Sequence, residues 1–308
     1  MSAITKKTPV LAFGSWFCAF VAFFLSGCES QQLLGPVANS QNAKAIREAF
    51  SASSPASEAE STAAGATGTG WGTLRGTFVF EGDPPKMAPY EMNKDEATCK
   101  PGGHAHPQEW LLVDPSSKGI KNIAVYLRTA SRVHESAQAP SGDLLFDQKE
   151  CVFLSHVTTA FVGQVLQIKN SDPVGHNTKI EGAKNQFNQT IPAGESISFK
   201  LQKEEATPAP VSCSIHPWMK AYLLPRANGY VAVTNDAGQF EIANLPAGEP
   251  IELQVWHESA TGPGNVLVLT TPEANALKWS GKGRFTVTLQ PDETKEITIN
   301  VPSSAFRG

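Results

Sequence analysis

The stretch YVAVTNDAGQFEIANLPAGEPIELQVW, residues 230–256, decides the fold class. Tyr230–Val233, Phe240–Ile242 and Ile251–Trp256 are short runs rich in β-branched and aromatic residues. Between them lie Asn235-Asp236-Ala237-Gly238 and Leu245-Pro246-Ala247-Gly248, whose Asn, Asp, Pro and Gly favour turns. Phe240 and Ile242 alternate with polar neighbours, the period of a strand with one buried face. The pattern predicts a hairpin at Asp236–Gly238. Towards the C-terminus, Val266–Leu269, Arg284–Leu289 and Glu296–Val301 continue it, the last two flanking Gln290-Pro291-Asp292. Towards the N-terminus the same reading gives strands at Leu74–Phe80, Ile120–Leu127, Cys151–Leu154, Val162–Lys169 and Ser196–Leu201. Residues 86–118 read as a loop, and no convincing helical period appears after residue 50. The expected class is all-β, built as sandwiches.

Composition agrees with a packed, strand-rich chain. Of 308 residues, 41% are apolar and 18% charged, which argues against wholesale disorder. A net charge of −4 gives no electrostatic reason to expect nucleic-acid binding. The length suggests two domains at most. Lys6 and Lys7, an apolar run ending near Leu25, and Leu25-Ser26-Gly27-Cys28 form a secretory leader over 1–27. A retained membrane anchor is the alternative, because the run is near the lower limit for spanning. Residues 28–70 read as a disordered linker. In 51–70, seventeen of twenty residues are Ala, Ser, Thr or Gly, too little apolar surface to offset ordering entropy. The folded part is divided into 71–225 and 226–308.

Chemistry concentrates in two segments. Asn170-Ser171-Asp172-Pro173-Val174-Gly175-His176-Asn177 is a polar turn leading to a histidine. Cys213-Ser214-Ile215-His216-Pro217-Trp218-Met219 places Cys, His and Met on one short loop, with two residues between each pair. Two imidazoles, one thiolate and a weak axial thioether form the donor set of a blue-copper electron-transfer site. Zinc is the next candidate but favours harder ligands than Met. Each element alone is ambiguous, since Cys213 could pair with another cysteine and His176 could be an ordinary loop residue.

Together these residues resemble the cupredoxin (type 1 copper) family, with the C-x-x-H-x-x-M spacing and following Pro of its amicyanin/plastocyanin-like ligand loops. The likeness spans roughly 150–225, and the long 86–150 region departs from small cupredoxins. It implies a Greek-key sandwich and one mononuclear copper site ligated by His176, Cys213, His216 and Met219. Asn177 would fasten the Cys loop, with Asp172 and Ser214 as its polar surroundings. Pro217 and Trp218 would border an exposed edge of His216, the family's usual electron route and partner-docking patch. Four protein ligands leave no open position for substrate, so an electron carrier is expected rather than an enzyme.

The leader's LSGC ending resembles a bacterial lipobox, which implies lipid on Cys28 and a cell-envelope location, periplasmic or on the outer membrane. The partner implied is a periplasmic or surface redox protein such as a c-type cytochrome. With Cys213 given to metal, Cys99 and Cys151 remain, either as one disulfide or as two buried thiols. His104, His106 and His156 are either solvent-facing or parts of a second metal site, and His134 and His257 read as structural or exposed. The segment G-x-F-x-I-x-N-L-P-A-G at 238–248 resembles carboxypeptidase regulatory-like and carbohydrate-binding-like sandwiches. That makes 226–308 a second sandwich, and a glycan- or protein-binding scaffold with stored copper the rival function. The strands at 74–80 and 120–127 also resemble the opening of such domains, so the copper-site segment could be inserted into the C-terminal sandwich.

Overall fold

Four sheets form the fold in a computed structural model that describes residues 68–307. The leader, Cys28 and the linker up to residue 67 lie outside the described residues. Strand β1 (Trp71–Glu81) starts the fold, turning Leu74, Phe78 and Phe80 inward at the period of two its sequence sets. Gly68 and Gly70 already pack against Ala247, Gly248 and Pro291, so ordered structure begins slightly before Trp71. Among the described residues, no helix is long and apolar enough to cross a membrane.

The chain visits two sandwiches in turn. It leaves β1, makes β2 (Ala124–Leu127), and then builds β3 (Leu144–Lys149), β4 (Val152–Phe153), β5 (Val157–Phe161), β6 (Val165–Asn170), β7 (His176–Glu181), β8 (Gln186–Ile191), β9 (Ser196–Lys200), β10 (Ala209–Ser212) and β11 (Lys220–Arg226). It then returns to make β12 (Val231–Val233), β13 (Gln239–Pro246), β14 (Pro250–Trp256), β15 (Arg284–Thr288) and β16 (Thr294–Pro302). The outer strands form the sheets β13-β1-β16 and β12-β2-β14-β15. The strands between them form β4-β3-β6-β9 and β5-β11-β10-β7-β8. Thus β1 and β2, although early in the chain, pair with strands that follow residue 226.

The turn at 235–238 carries the chain from one sheet to the facing one, rather than closing the expected hairpin. Strand β12 pairs with β2, and β13 with β1. Gly238 enables this crossing: its φ is 73°, and a Cβ there would run into the Phe78 carbonyl. Val266–Leu269 makes only a single bridge, Val266 to Trp256.

Strand β2 explains why its sequence does not alternate. All four residues are buried. Val125 and Leu127 enter the first core with Leu74, Phe78 and Phe285, while Ala124 and Tyr126 join Val157, Leu224 and Trp256 in a seam against the second sandwich. Arg226 pins this seam. Its guanidinium lies 5.0 Å from the Tyr126 ring centre and donates to the carbonyls of Leu127 and Glu205. The second core holds Phe146, Leu166, Ile168, Ile180, Val211 and Leu223, together with Cys213 and Met219.

Residues 84–118 bridge the two cores. Leu111 packs in the first, while Met92 and Cys99 pack in the second. The segment carries one short helix, α1 (Glu96–Cys99), and crosses the end of the second sandwich where the chemistry gathers.

Candidate metal centre

The first half of the site is a turn held by buried amides. Asn170 ends β6, and its Nδ2 donates to the carbonyls of Val174 (2.7 Å), Ile191 (3.1 Å) and Pro192 (3.1 Å). Its Oδ1 accepts the Asp172 N–H at 3.0 Å. This fixes the turn, so His176 enters β7 fully buried. The Asp172 carboxylate accepts three donors: the N–H groups of Glu150 (2.7 Å) and Cys151 (2.8 Å), and His176 Nε2–H (2.7 Å). Glu150 and Cys151 both have φ 55° and form the two-residue turn between β3 and β4. One carboxylate thereby orients both the His176 imidazole and a neighbouring hairpin.

The second half is the loop joining β10 to β11. The pair Ser212–Lys220 closes its base. Met219 N–H donates to the His216 carbonyl at 3.0 Å, and Cys213 N–H to the Met219 carbonyl at 3.4 Å. Asn177 ties the halves together. Its N–H donates to Cys213 Sγ (3.2 Å), its Oδ1 accepts Ser214 N–H (3.2 Å), and its Nδ2 donates to Asn188 Oδ1 and the Gln189 carbonyl, both at 3.0 Å.

These contacts bring three donor atoms to one point. His176 Nδ1 lies 2.9 Å from His216 Nδ1, and Cys213 Sγ lies 4.0 Å from the latter. Ligating atoms of His176, Cys213 and His216 fall within 4.8 Å of one another, all on buried side chains. Met219, 1% exposed, packs in the same core. Each imidazole directs Nε2 at a carboxylate and turns Nδ1 inward, an orientation in which Nδ1 faces the place a metal ion would take. Burial alone would raise the Cys213 thiol, but hydrogen bonding from His176 and backbone N–H groups brings it below its usual value. Burial alone would lower His176, yet Asp172 and Cys213 hold it up at about 9. Burial and the neighbouring His176 charge depress His216 despite its contact with Asp95. Two imidazole nitrogens and a thiolate-prone sulfur, drawn together in a dry pocket, fit a soft or borderline metal ion.

Asp95 was not legible as part of this centre. It precedes α1, adopts a left-handed backbone (φ 49°, ψ 39°), and accepts His216 Nε2–H at 2.9 Å. The expected exposed edge of His216 is therefore corrected: the residue is fully buried. Trp218 is also buried, its Nε1–H donating to the Cys151 carbonyl at 3.1 Å and its ring centre 5.1 Å from that of His216. Pro217 and Ser214 are exposed. The physical cause is the 84–118 segment, which covers the loop and is stapled there by a Cys99–Cys151 disulfide. The signal that could have found Asp95 was Cys99, four residues on, since pairing it with Cys151 draws Asp95 towards the ligand loop.

The other histidines have separate settings. His104 is exposed, and His106 Nε2 lies 3.6 Å from Glu150. His134 Nδ1 accepts the Ser136 N–H, and His257 is fully buried against Phe306. Among the described residues, no cluster of three metal-ligating side chains includes His104, His106 or His156. Instead His156 sits between two carboxylates. It hydrogen-bonds Glu258, and its Nδ1 lies 3.1 Å from Glu109, out of line for a hydrogen bond. Glu258 also accepts from Tyr222 at 3.2 Å.

This cluster predicts a pH-dependent stability. Burial pushes His156 down, but Glu109 and Glu258 outweigh it and hold the imidazolium up at about 9, against 6.5 when free. The resulting stabilisation is of order 3 kcal/mol. It is complete below about pH 6.5 and is lost as pH rises through about 9. Urea unfolding between pH 6 and 10 should show this loss, and His156→Gln should reduce it, leaving the share that His176 contributes over the same range. An unchanged slope in the variant would refute the assignment.

No family model matches the chain, and no curated protein does. Among solved structures, amicyanin from Paracoccus versutus is similar over 33% of this chain and 97% of its own, at 13% identity and a TM-score of 0.25. The copper-containing nitrite reductase from Thermus scotoductus SA-01 is similar over 32% of this chain and 25% of its own, at 19% identity and a TM-score of 0.26.

Proposed function

We propose that this chain is a single-electron carrier holding one copper ion between His176, Cys213 and His216, with Met219 as a weak fourth ligand. The observation that carries the reading is the meeting of one Nδ1 from the start of β7 with one Nδ1 and one sulfur from the loop joining β10 to β11. Bound copper supplies a one-electron couple that imidazole and thiolate accommodate in both oxidation states. The protein's part is to hold that donor set rigidly. Asn177 fixes the sulfur, Asp172 and Asp95 fix the imidazoles, and burial excludes water. A fourth ligand from Met219 would leave no position for substrate, which favours electron transfer over catalysis.

The leader motif and the disulfide support a place outside the cytoplasm, tethered through lipid on Cys28. The partner proposed is a redox protein of the envelope such as a c-type cytochrome, meeting the surface around Pro217. Titrating the full chain with Cu(II) tests the reading. One equivalent should raise an intense red-region thiolate-to-copper band and a reversible one-electron wave. A colourless, redox-silent complex would refute it and favour a glycan-binding scaffold, to be checked by glycan pull-down.

A further inference from the structure

The 84–118 segment does more than cover the second core. It delivers a carboxylate to the outer edge of a buried imidazole: Asp95 Oδ2 meets His216 Nε2 at 2.9 Å. Asp95 holds a left-handed backbone, a conformation that residues with a Cβ seldom adopt but that Asp tolerates better than most. Four residues later Cys99 is bonded to Cys151. Cys151 in turn sits in the hairpin whose N–H groups grip Asp172, and its carbonyl accepts from Trp218. Sulfurs of the disulfide lie within 4.8 Å of a His216 nitrogen. The staple, the hairpin and both carboxylates therefore form one connected scaffold around the two imidazoles.

We infer that Asp95 is a positioning residue for His216: delivered by the disulfide-stapled segment, it locks the imidazole as the Nε2–H tautomer with Nδ1 facing Cys213 and His176. This deepens the copper-carrier reading and rests on it for its functional meaning, but the locking itself is a property of the protein without metal. A lone pair fixed at Nδ1 is ready for an ion, and the carboxylate raises the basicity of the ring. Partners of this kind contribute about 10- to 100-fold to metal affinity. The covered edge also keeps His216 from rotating outward.

The test uses the full chain in two states. In the metal-free state, nitrogen-resolved NMR of the imidazoles should show His216 as a single Nε2–H tautomer. Asp95→Gly removes the carboxylate while suiting the left-handed backbone, and should give mixed tautomers. Asp95→Asn keeps an acceptor oxygen and should restore the single tautomer. Cys99→Ala/Cys151→Ala, with Asp95 intact, should resemble Asp95→Gly. In the copper state, Asp95→Gly should weaken Cu(II) binding at least about tenfold in a competition with a chelator. Asp95→Gly with an unchanged His216 tautomer would overturn the inference, and so would unchanged Cu(II) affinity in a protein that binds copper. Failure of the unaltered chain to bind copper would overturn the proposed function instead, leaving the metal-free measurement to decide the role of Asp95.

Discussion

Cys213→Ser is expected to abolish the thiolate-to-copper band and to weaken Cu(II) binding by more than about 100-fold, the upper range for residues that only touch a ligand. The substitution is close to isosteric, so the buried loop should keep its shape. Asn177 N–H, now 3.2 Å from the sulfur, can donate to a hydroxyl oxygen instead. What changes is the donor. The Cys213 thiol is drawn below its usual value by His176 and by backbone N–H groups, after burial has pushed the other way. A serine hydroxyl in that place stays protonated near neutrality and offers only a hard, neutral oxygen. Circular dichroism should confirm an intact fold while absorbance and chelator competition report the loss. An intense red band surviving in the variant would remove Cys213 from the centre.

Cys99→Ala/Cys151→Ala is expected to lower unfolding free energy by about 4 kcal/mol when the cross-link is treated as lost chain entropy over a loop of its length. The two cysteines are 52 residues apart and both fully buried. The loop they close joins the segment that crosses the Cys213–Met219 loop to the hairpin that Asp172 holds. Denaturant unfolding of the variant against the oxidised wild type measures the difference. A loss well under 1 kcal/mol would mean that packing of Met92 and α1 already holds the segment in place.

How much was readable depended on how local each feature is. Alternation at Phe240 and Ile242 marked β13, and the run at Ile120–Leu127 marked β2, because side-chain period is written within a few residues. Strands β3, β5, β7 and β8 are not marked in this way. The partners of β3 and β5, β6 and β11, run parallel from more distant positions, so no hairpin turn announces them, and β8 is polar and largely exposed, which hides its period. The turn at 235–238 was recognised, but its direction was not, since turn residues fix a bend and not which sheet receives the next strand.

By itself the sequence determined the all-β class and the turn at Asn170–Gly175, and it pointed to His176, Cys213, His216 and Met219 as the residues proposed to hold a metal, because spacing within a loop is local chemistry. Tertiary structure alone decided that β1 and β2 close sheets with strands from the far end of the chain. It also decided that a disulfide carries Asp95 onto His216 and hides the edge expected to face solvent. Those outcomes depend on contacts between residues 50 to more than 200 positions apart, whose entropy of closure is repaid only by the assembled cores.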